Sequence, residues 1–217
     1  MKVFKFGGAS IRNAEAVANM SGIIRAHADI PLLVVVSAMG KTTNHLENVL
    51  ENARQEKFQQ ADALIEESRQ YHLDICRRLF NNNRIETVTE FLDSQFNNLR
   101  EVSHNLVYTL HQHYDQLVSF GEIISSGIIS HYLNYLGYPV ELLDSRQYIR
   151  TDEHFREARV DWPETHRRIQ EMRSLLNHKA AITQGFLGGT LSGYTSTLGR
   201  EGSDYSAAIF CSCLQGE

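Results

Sequence analysis

The sequence predicts an α/β fold in three layers, with a parallel sheet between two layers of helices. Three observations carry this. Leu32-Leu33-Val34-Val35-Val36 is an unbroken apolar run, the mark of a strand covered on both faces. Strand-like segments alternate with helical ones along the chain, the pattern of a parallel sheet with crossover helices. Finally, 217 residues with 42% hydrophobic content can bury a core of one or at most two domains.

The elements follow in order. Val3, Phe4 and Phe6 form a short strand that stops at Gly7-Gly8. A helix is expected from about Asn13 to His27, with Ala14, Val17, Met20, Ile23 and Ile24 on one stripe. After the Leu32–Val36 strand, Ser37-Ala38-Met39-Gly40 leads to a helix starting near Thr42 or Thr43. Two long helical patterns come next, from Lys57 to Phe80 and from Arg84 to about His111, separated by Asn81-Asn82-Asn83. No strand pattern interrupts them, so about 57–111 reads as an inserted αα-hairpin. The first is expected to bury Phe58, Ala61, Ile65 and Leu79; the second, residues from Ile85 to Leu106. One further helix is expected from about Asp115 to Leu136, closed by Gly137 at its C-cap.

Pro139–Leu143 and Ala180–Thr183 are strands, with a short extended piece near Val160. Asp161-Trp162-Pro163 opens a helix to about Leu176, proline being tolerated in the first turn. Leu187–Leu198 reads as a Gly-rich hairpin, and a last apolar helix begins near Ser203, with Ser203 or Asp204 as its N-cap. About four strong parallel-type strands are visible, fewer than the ~5–6 usual in a sheet, so a truncated domain is expected.

Composition excludes several classes. A net charge of −5, with no basic stripe on any predicted face, argues against a nucleic-acid partner. Three cysteines form no disulfide framework and fit reduced thiols. The start is a charged strand rather than a signal peptide, and no apolar run is long enough to span a membrane. A soluble, cytoplasmic protein without a membrane partner is expected. The ten histidines show no metal-ligand spacing and read as surface or core residues.

Four stretches carry chemistry. In Lys5-Phe6-Gly7-Gly8-Ala9-Ser10, two glycines at a strand end expose N–H groups that suit phosphate oxygens, and Lys5 adds a charge; an ordinary turn with a surface lysine fits equally well. Gly40-Lys41-Thr42 fails as a P-loop because Val35 stands where the first glycine belongs. Ser37 and Thr43 nevertheless lie at a strand's carboxyl end, where open α/β sheets bind ligands. In Ser119-Phe120-Gly121-Glu122, Glu122 is either partly exposed or a buried carboxylate that needs a cation or a ligand ammonium. Gly121 costs about 1 kcal/mol of helix propensity, which points to close packing or ligand approach. In Thr195–Ala208, Gly199-Arg200-Glu201-Gly202 precedes a helix N-terminus, where Arg200 can grip a carboxylate or phosphate.

Together, Lys-Phe-Gly-Gly-Ala-Ser, Val-Val-Ser-Ala-Met-Gly-Lys-Thr-Thr-Asn at 35–44, Ser-Phe-Gly-Glu at 119–122, Thr-Gln-Gly-Phe at 183–186 and Thr-Ser-Thr-Leu-Gly-Arg-Glu-Gly-Ser-Asp-Tyr-Ser-Ala-Ala at 195–208 resemble the aspartate kinases of the amino-acid kinase superfamily. The resemblance covers residues 1–217 and implies a carbamate kinase-like α/β/α sandwich with an inserted helical hairpin. It further implies the aspartate-binding, amino-terminal part of the kinase domain, without the nucleotide-binding remainder or ACT domains. The implied activity is ATP-dependent phosphorylation of the L-aspartate side chain to 4-phospho-L-aspartate, the first step of lysine, threonine and methionine synthesis. Mg²⁺ arrives with the nucleotide, the full-length protein is a homo-oligomer, and this chain alone is expected to be inactive.

Carried over by position, Lys5 stabilises the transferring phosphoryl group, and Phe6, Gly7, Gly8 and Ser37 lie at the ATP phosphates. Asp204 orients the lysine. Arg200 grips the α-carboxylate, Glu122 meets the ammonium, and Thr43 and Ser203 complete the substrate contacts. Ala9 and Glu201 depart from the family's usual Thr and frequent Gly, and a carboxylate beside Arg200 weakens its pull. The rival readings are a kinase of another small acid and a non-catalytic amino-acid-binding module.

Overall fold

The computed structural model describes residues 1–81, 85–176 and 180–217. Strands β1 (Lys2–Phe6), β2 (Leu32–Val36), β3 (Val140–Leu143) and β5 (Ala180–Gln184) form one all-parallel sheet in the order β1-β2-β5-β3. All five residues of β2 are buried, because side chains alternate between two cores. Leu32, Val34 and Val36 join one core; Leu33 and Val35 join the other.

The first core is closed by α1 (Ala14–Arg25), α2 (Thr42–Arg54), α3 (Phe58–Leu79), α4 (Glu86–His104), α5 (Leu110–Val118) and α6 (Phe120–Tyr135). The second is closed by α8 (Trp162–Met172) and α9 (Gly202–Leu214). The three-layer expectation therefore holds. A smaller sheet joins β4 (Arg150–Thr151), β6 (Leu187–Thr190) and β7 (Thr195–Thr197), and the short helix α7 (Ser145–Tyr148) precedes it. β6 and β7 are the antiparallel hairpin read from the sequence.

Register sets the site. Phe6 pairs across from Val36, and Val36 from Gln184, so β1, β2 and β5 end level. The loops after them emerge side by side, the usual place for a ligand in an open parallel sheet. On the sheet's far side, Val3 N–H donates to Glu217 O at 2.9 Å and Glu217 N–H to Met1 O at 3.2 Å.

Several boundaries differ from expectation. The second long helix ends at His104, where Asn105 turns extended, and a separate helix starts at Leu110 with Thr109 as its N-cap. The expected 115–136 helix is two helices joined at Ser119, whose hydroxyl donates to Gln116 O at 2.9 Å. A serine that bonds back into the preceding turn often bends a helix. Ile23 and Leu106, assigned to buried stripes, are exposed at 40% and 36%. The separator between the long helices falls mostly on Asn82-Asn83, and the second helix's expected start on Arg84; these lie outside the described residues. The insertion shares the main core, since Ile65, Leu92, Phe96 and Leu99 join the same cluster as Leu46 and Val49. Gly137 has φ +75, as a C-cap glycine requires. The three cysteines are free thiols. No helix among the described residues is long and apolar enough to cross a membrane.

Candidate active site

Two adjoining pockets open at the carboxyl ends of β1, β2 and β5. One, of about 300 Å³, is lined by Lys5, Gly8, Ser37, Ala38, Gly40, Thr43, Glu122, Phe186 and the 199–204 turn, Arg200 excepted. The other, of about 650 Å³, has Arg200 and Arg156 on its wall. Thr43, Phe186 and Gly199 belong to both, so the two share a border.

Lys5 reaches from β1 to the start of α9, with Nζ 3.0 Å from Asp204 Oδ1. Asp204 is 64% exposed, so the pair contributes about 1 kcal/mol or less to stability. Its effect is to aim the ammonium at the helix terminus. Ser203 and Asp204 do not cap α9 as the sequence suggested. Both lie inside the first turn, and the N-cap is Glu201, left-handed at φ 56 and without a side-chain bond. The helix terminus thus faces the pocket without a side-chain cap, adding partial positive charge beside Lys5.

The Ser37–Gly40 loop fits between β1 and α6 because glycines face it on both sides. A Cβ on Gly8 would lie 2.7 Å from Ala38 O, and one on Gly121 would lie 2.8 Å from Ala38 Cβ. Close packing therefore accounts for Gly121. The same contact carries Glu122: its Oε1 accepts from Ala38 N–H at 3.0 Å, while its Oε2 is buried with no partner. At 3% exposure Glu122 is not the partly exposed residue that one reading allowed. Burial pushes its pKa up to about 8, against the opposing pull of the Ala38 N–H. With no ion-pair partner among the described residues, this carboxylate suits an ammonium that arrives with a ligand.

Of the residues proposed from sequence, the smaller pocket gathers Lys5, Gly8, Ser37, Thr43, Glu122, Ser203 and Asp204. Arg200 faces the larger pocket, and Glu201 the smaller, so adjacent residues of one turn point into different spaces. Phe6 and Gly7 line neither; Phe6 packs on the main core, and Gly7 lies beside Lys5. Reading by motif missed Phe186, Tyr114 and the 154–157 loop, and it dismissed His111 and His154, which line the larger pocket. A signal for Phe186 existed in the Thr-Gln-Gly-Phe motif, whereas nothing local marks Arg156. Among the described residues no cluster of three or more His, Cys, Asp or Glu is placed to hold a metal ion. A divalent cation would enter with phosphate oxygens, for which Lys5 and the α9 terminus are suited.

A parallel sheet whose carboxyl-end loops carry a lysine, a helix terminus and a buried lone carboxylate offers adjoining places for an anion and for an ammonium. The model of the amino acid kinase family matches residues 1–217, and the chain belongs to that family. Within it, the likeness runs to aspartokinases. The lysine-sensitive aspartokinase 3 of Escherichia coli is 33% identical over 98% of this chain and 46% of its own length. The aspartokinase of Chlamydia trachomatis is 33% identical over 95% and 44%. The structure of E. coli aspartokinase III with lysine and aspartate superposes with a TM-score of 0.87 at 28% identity, covering this whole chain and 47% of that one. Its complex with aspartate and ADP gives 0.83 at 30% identity, with the same coverage. The fold, helical insertion included, is that of the family. The chain spans about half the length of these relatives.

Proposed function

We propose that this chain binds L-aspartate and presents its side-chain carboxylate to the γ-phosphoryl group of ATP, forming 4-phospho-L-aspartate. The observation that carries the reading is Glu122, a buried carboxylate with one oxygen unpartnered, on the wall of a pocket that adjoins the one lined by Arg200. Glu122 takes the substrate ammonium, Arg200 the α-carboxylate, and Thr43 and Ser203 the remaining polar edges. That leaves the side-chain carboxylate facing Lys5, with Asp204 fixing the ammonium of Lys5 and Ser37 and Gly8 near the phosphates.

The chemistry asks little else of the protein. The acceptor is already ionised at neutral pH, so no general base is needed. What must be supplied is alignment of two anions and relief of their repulsion. Lys5 and the positive end of the α9 dipole supply that field where charge gathers in the transition state.

The test is an acceptor screen on the full-length gene product, following ADP release from ATP-Mg²⁺. L-Aspartate is expected to drive release, and the aspartate reading fails if another small acid does so in its place. In the same protein Lys5→Ala is expected to lower kcat by about 10²–10³, the usual loss for one donor to a developing anion. Arg200→Ala is expected to raise KM for aspartate with a smaller effect on kcat, and unchanged aspartate kinetics in that variant would count decisively against the assignment.

A further inference from the structure

We propose that Arg156 is a second carboxylate-binding residue of the larger pocket, acting beside Arg200 to hold and select an acidic amino acid. The proposal deepens the aspartate reading and rests on it. Arg156 and Arg200 line the same pocket of about 650 Å³. Among the described residues neither guanidinium has an ion-pair or hydrogen-bond partner, although the Arg156 charge also acts on the buried Asp115 carboxylate, and Glu157 is the only carboxylate on the pocket wall. Two guanidiniums lining one space form a field suited to a carboxylate, whose two oxygens match the planar fork.

Two features hold Arg156 in place against a strained backbone. Its backbone is left-handed, φ +76, a conformation that disfavours any side chain. The buried carboxylate of Asp115 sustains it by accepting the Arg156 N–H at 3.0 Å on each oxygen. The guanidinium then lies 4.2 Å over the Tyr114 ring, and Tyr114 is itself fixed by donating to Glu47 Oε1 at 3.0 Å. An aromatic face orients a guanidinium without neutralising it and leaves its N–H edges open to a ligand. A strained arginine seated on a ring, where glycine would fit without strain, points to a side chain needed for what it binds.

The test is calorimetric titration of this chain with L-aspartate, succinate and sulfate, for the parent, Arg156→Gly and Arg156→Lys. Glycine adopts φ +76 freely, so Arg156→Gly is expected to melt at or above the parent's temperature and reports binding in a folded protein. Its affinity for L-aspartate is expected to fall about 10- to 100-fold, the usual loss of a charge-assisted contact, with part recovered in Arg156→Lys. Aspartate affinity within about twofold of the parent overturns the role of Arg156 and leaves the aspartate reading standing. Succinate or sulfate binding that Arg156→Gly abolishes, without aspartate binding by the parent, overturns the aspartate reading and keeps Arg156 as an anion residue. If the parent binds none of the three, both fall.

Discussion

The end of α5 and the start of α6 each bury a carboxylate, and the two are served in opposite ways. Asp115 is fully enclosed and saturated: its oxygens accept from Arg156 N–H, Thr197 N–H at 2.8 Å and Thr197 Oγ1–H at 2.9 Å. Glu122 is nearly as enclosed, yet it accepts one bond and has one oxygen bare. Burial raises both pKa values, to about 6 for Asp115 and about 8 for Glu122. The difference lies in what opposes that rise. Three hydrogen-bond donors and the Arg156 charge stabilise the Asp115 anion, against two backbone contacts, chiefly the Ala38 N–H, for Glu122. A saturated carboxylate fastens segments together, whereas a bare one is ready for a partner. Depth of burial alone does not separate the two roles.

The largest expected effect is on stability against pH, where the two carboxylates separate by window. A carboxyl group whose pKa is higher folded than unfolded holds a proton that the unfolded chain releases, so stability is lost as pH rises through the folded value. For Glu122 the window runs from about 4.5 to about 8 and the loss reaches about 5 kcal/mol. For Asp115 it runs from about 3.8 to about 6. Urea unfolding at a series of pH values is expected to show stability falling across both windows. Glu122→Gln is expected to flatten the part between pH 6 and 8 and to weaken aspartate binding. Asp115→Asn is expected to leave that upper part in place. A parent profile level between pH 6 and 8 would remove the basis for calling Glu122 a lone buried carboxylate. In the ligand-bound protein an ammonium beside Glu122 favours its anion, so aspartate is expected to raise the melting temperature more at pH 8 than at pH 6.

Next in size is the cost of removing the saturated carboxylate outright. Asp115→Ala leaves the Arg156 and Thr197 N–H groups and the Thr197 hydroxyl without their acceptor, at about 1–3 kcal/mol each and less than additively. A loss of about 3–4 kcal/mol in denaturant unfolding is expected. Glu122→Ala removes only one bond and a desolvated charge, and is expected to be close to neutral at pH 8. If the two alanine variants lose equal stability at that pH, the contrast between fastening and waiting carboxylates fails.

These two residues also mark how far sequence reaches. The layered fold was legible because its signals are local: an unbroken β2, alternating helices, a glycine closing α6. Lys5, Glu122, Arg200 and Asp204 were legible because each sits in a short motif at an element's end, and the level ends of β1, β2 and β5 collect those motifs. Asp115 stood outside any motif, and its partners lie 41 and 82 residues away, at Arg156 and Thr197. The role of Arg156 depends on a left-handed backbone and on Tyr114 beneath it, neither of which has a local signature. The misplaced α9 cap has the same origin. Ser203 and Asp204 are good capping residues in isolation, but Lys5, from the far end of the chain, engages the Asp204 carboxylate. That pairing uses the Asp204 carboxylate from inside the first turn, and nothing near residue 204 in the sequence announces it.

The smallest expected effect probes the contact on which the Glu122 side of the comparison depends. Gly121 faces Ala38, and a methyl added at Gly121 would lie 2.8 Å from the Ala38 Cβ. Gly121→Ala gains helix propensity of up to about 1 kcal/mol but must push the Ser37–Gly40 loop away, an overpacking cost of about 1–3 kcal/mol. The net loss is expected to be about 1 kcal/mol, with a second consequence that overpacking elsewhere would not have. Moving Ala38 lengthens the N–H bond to Glu122 Oε1, the larger of the two backbone contacts that hold the carboxylate's pKa down, so the loss of stability with pH is expected to shift upward. Ala38→Gly removes the opposing methyl while keeping the backbone donor. In the Gly121→Ala background it is therefore expected to return both the stability and the pH profile toward the parent's, a coupling of about 1 kcal/mol in the double-mutant cycle. If the two changes simply add, the loop is not held by that pair of methyl positions. The Glu122 carboxylate must then be placed by α6 alone.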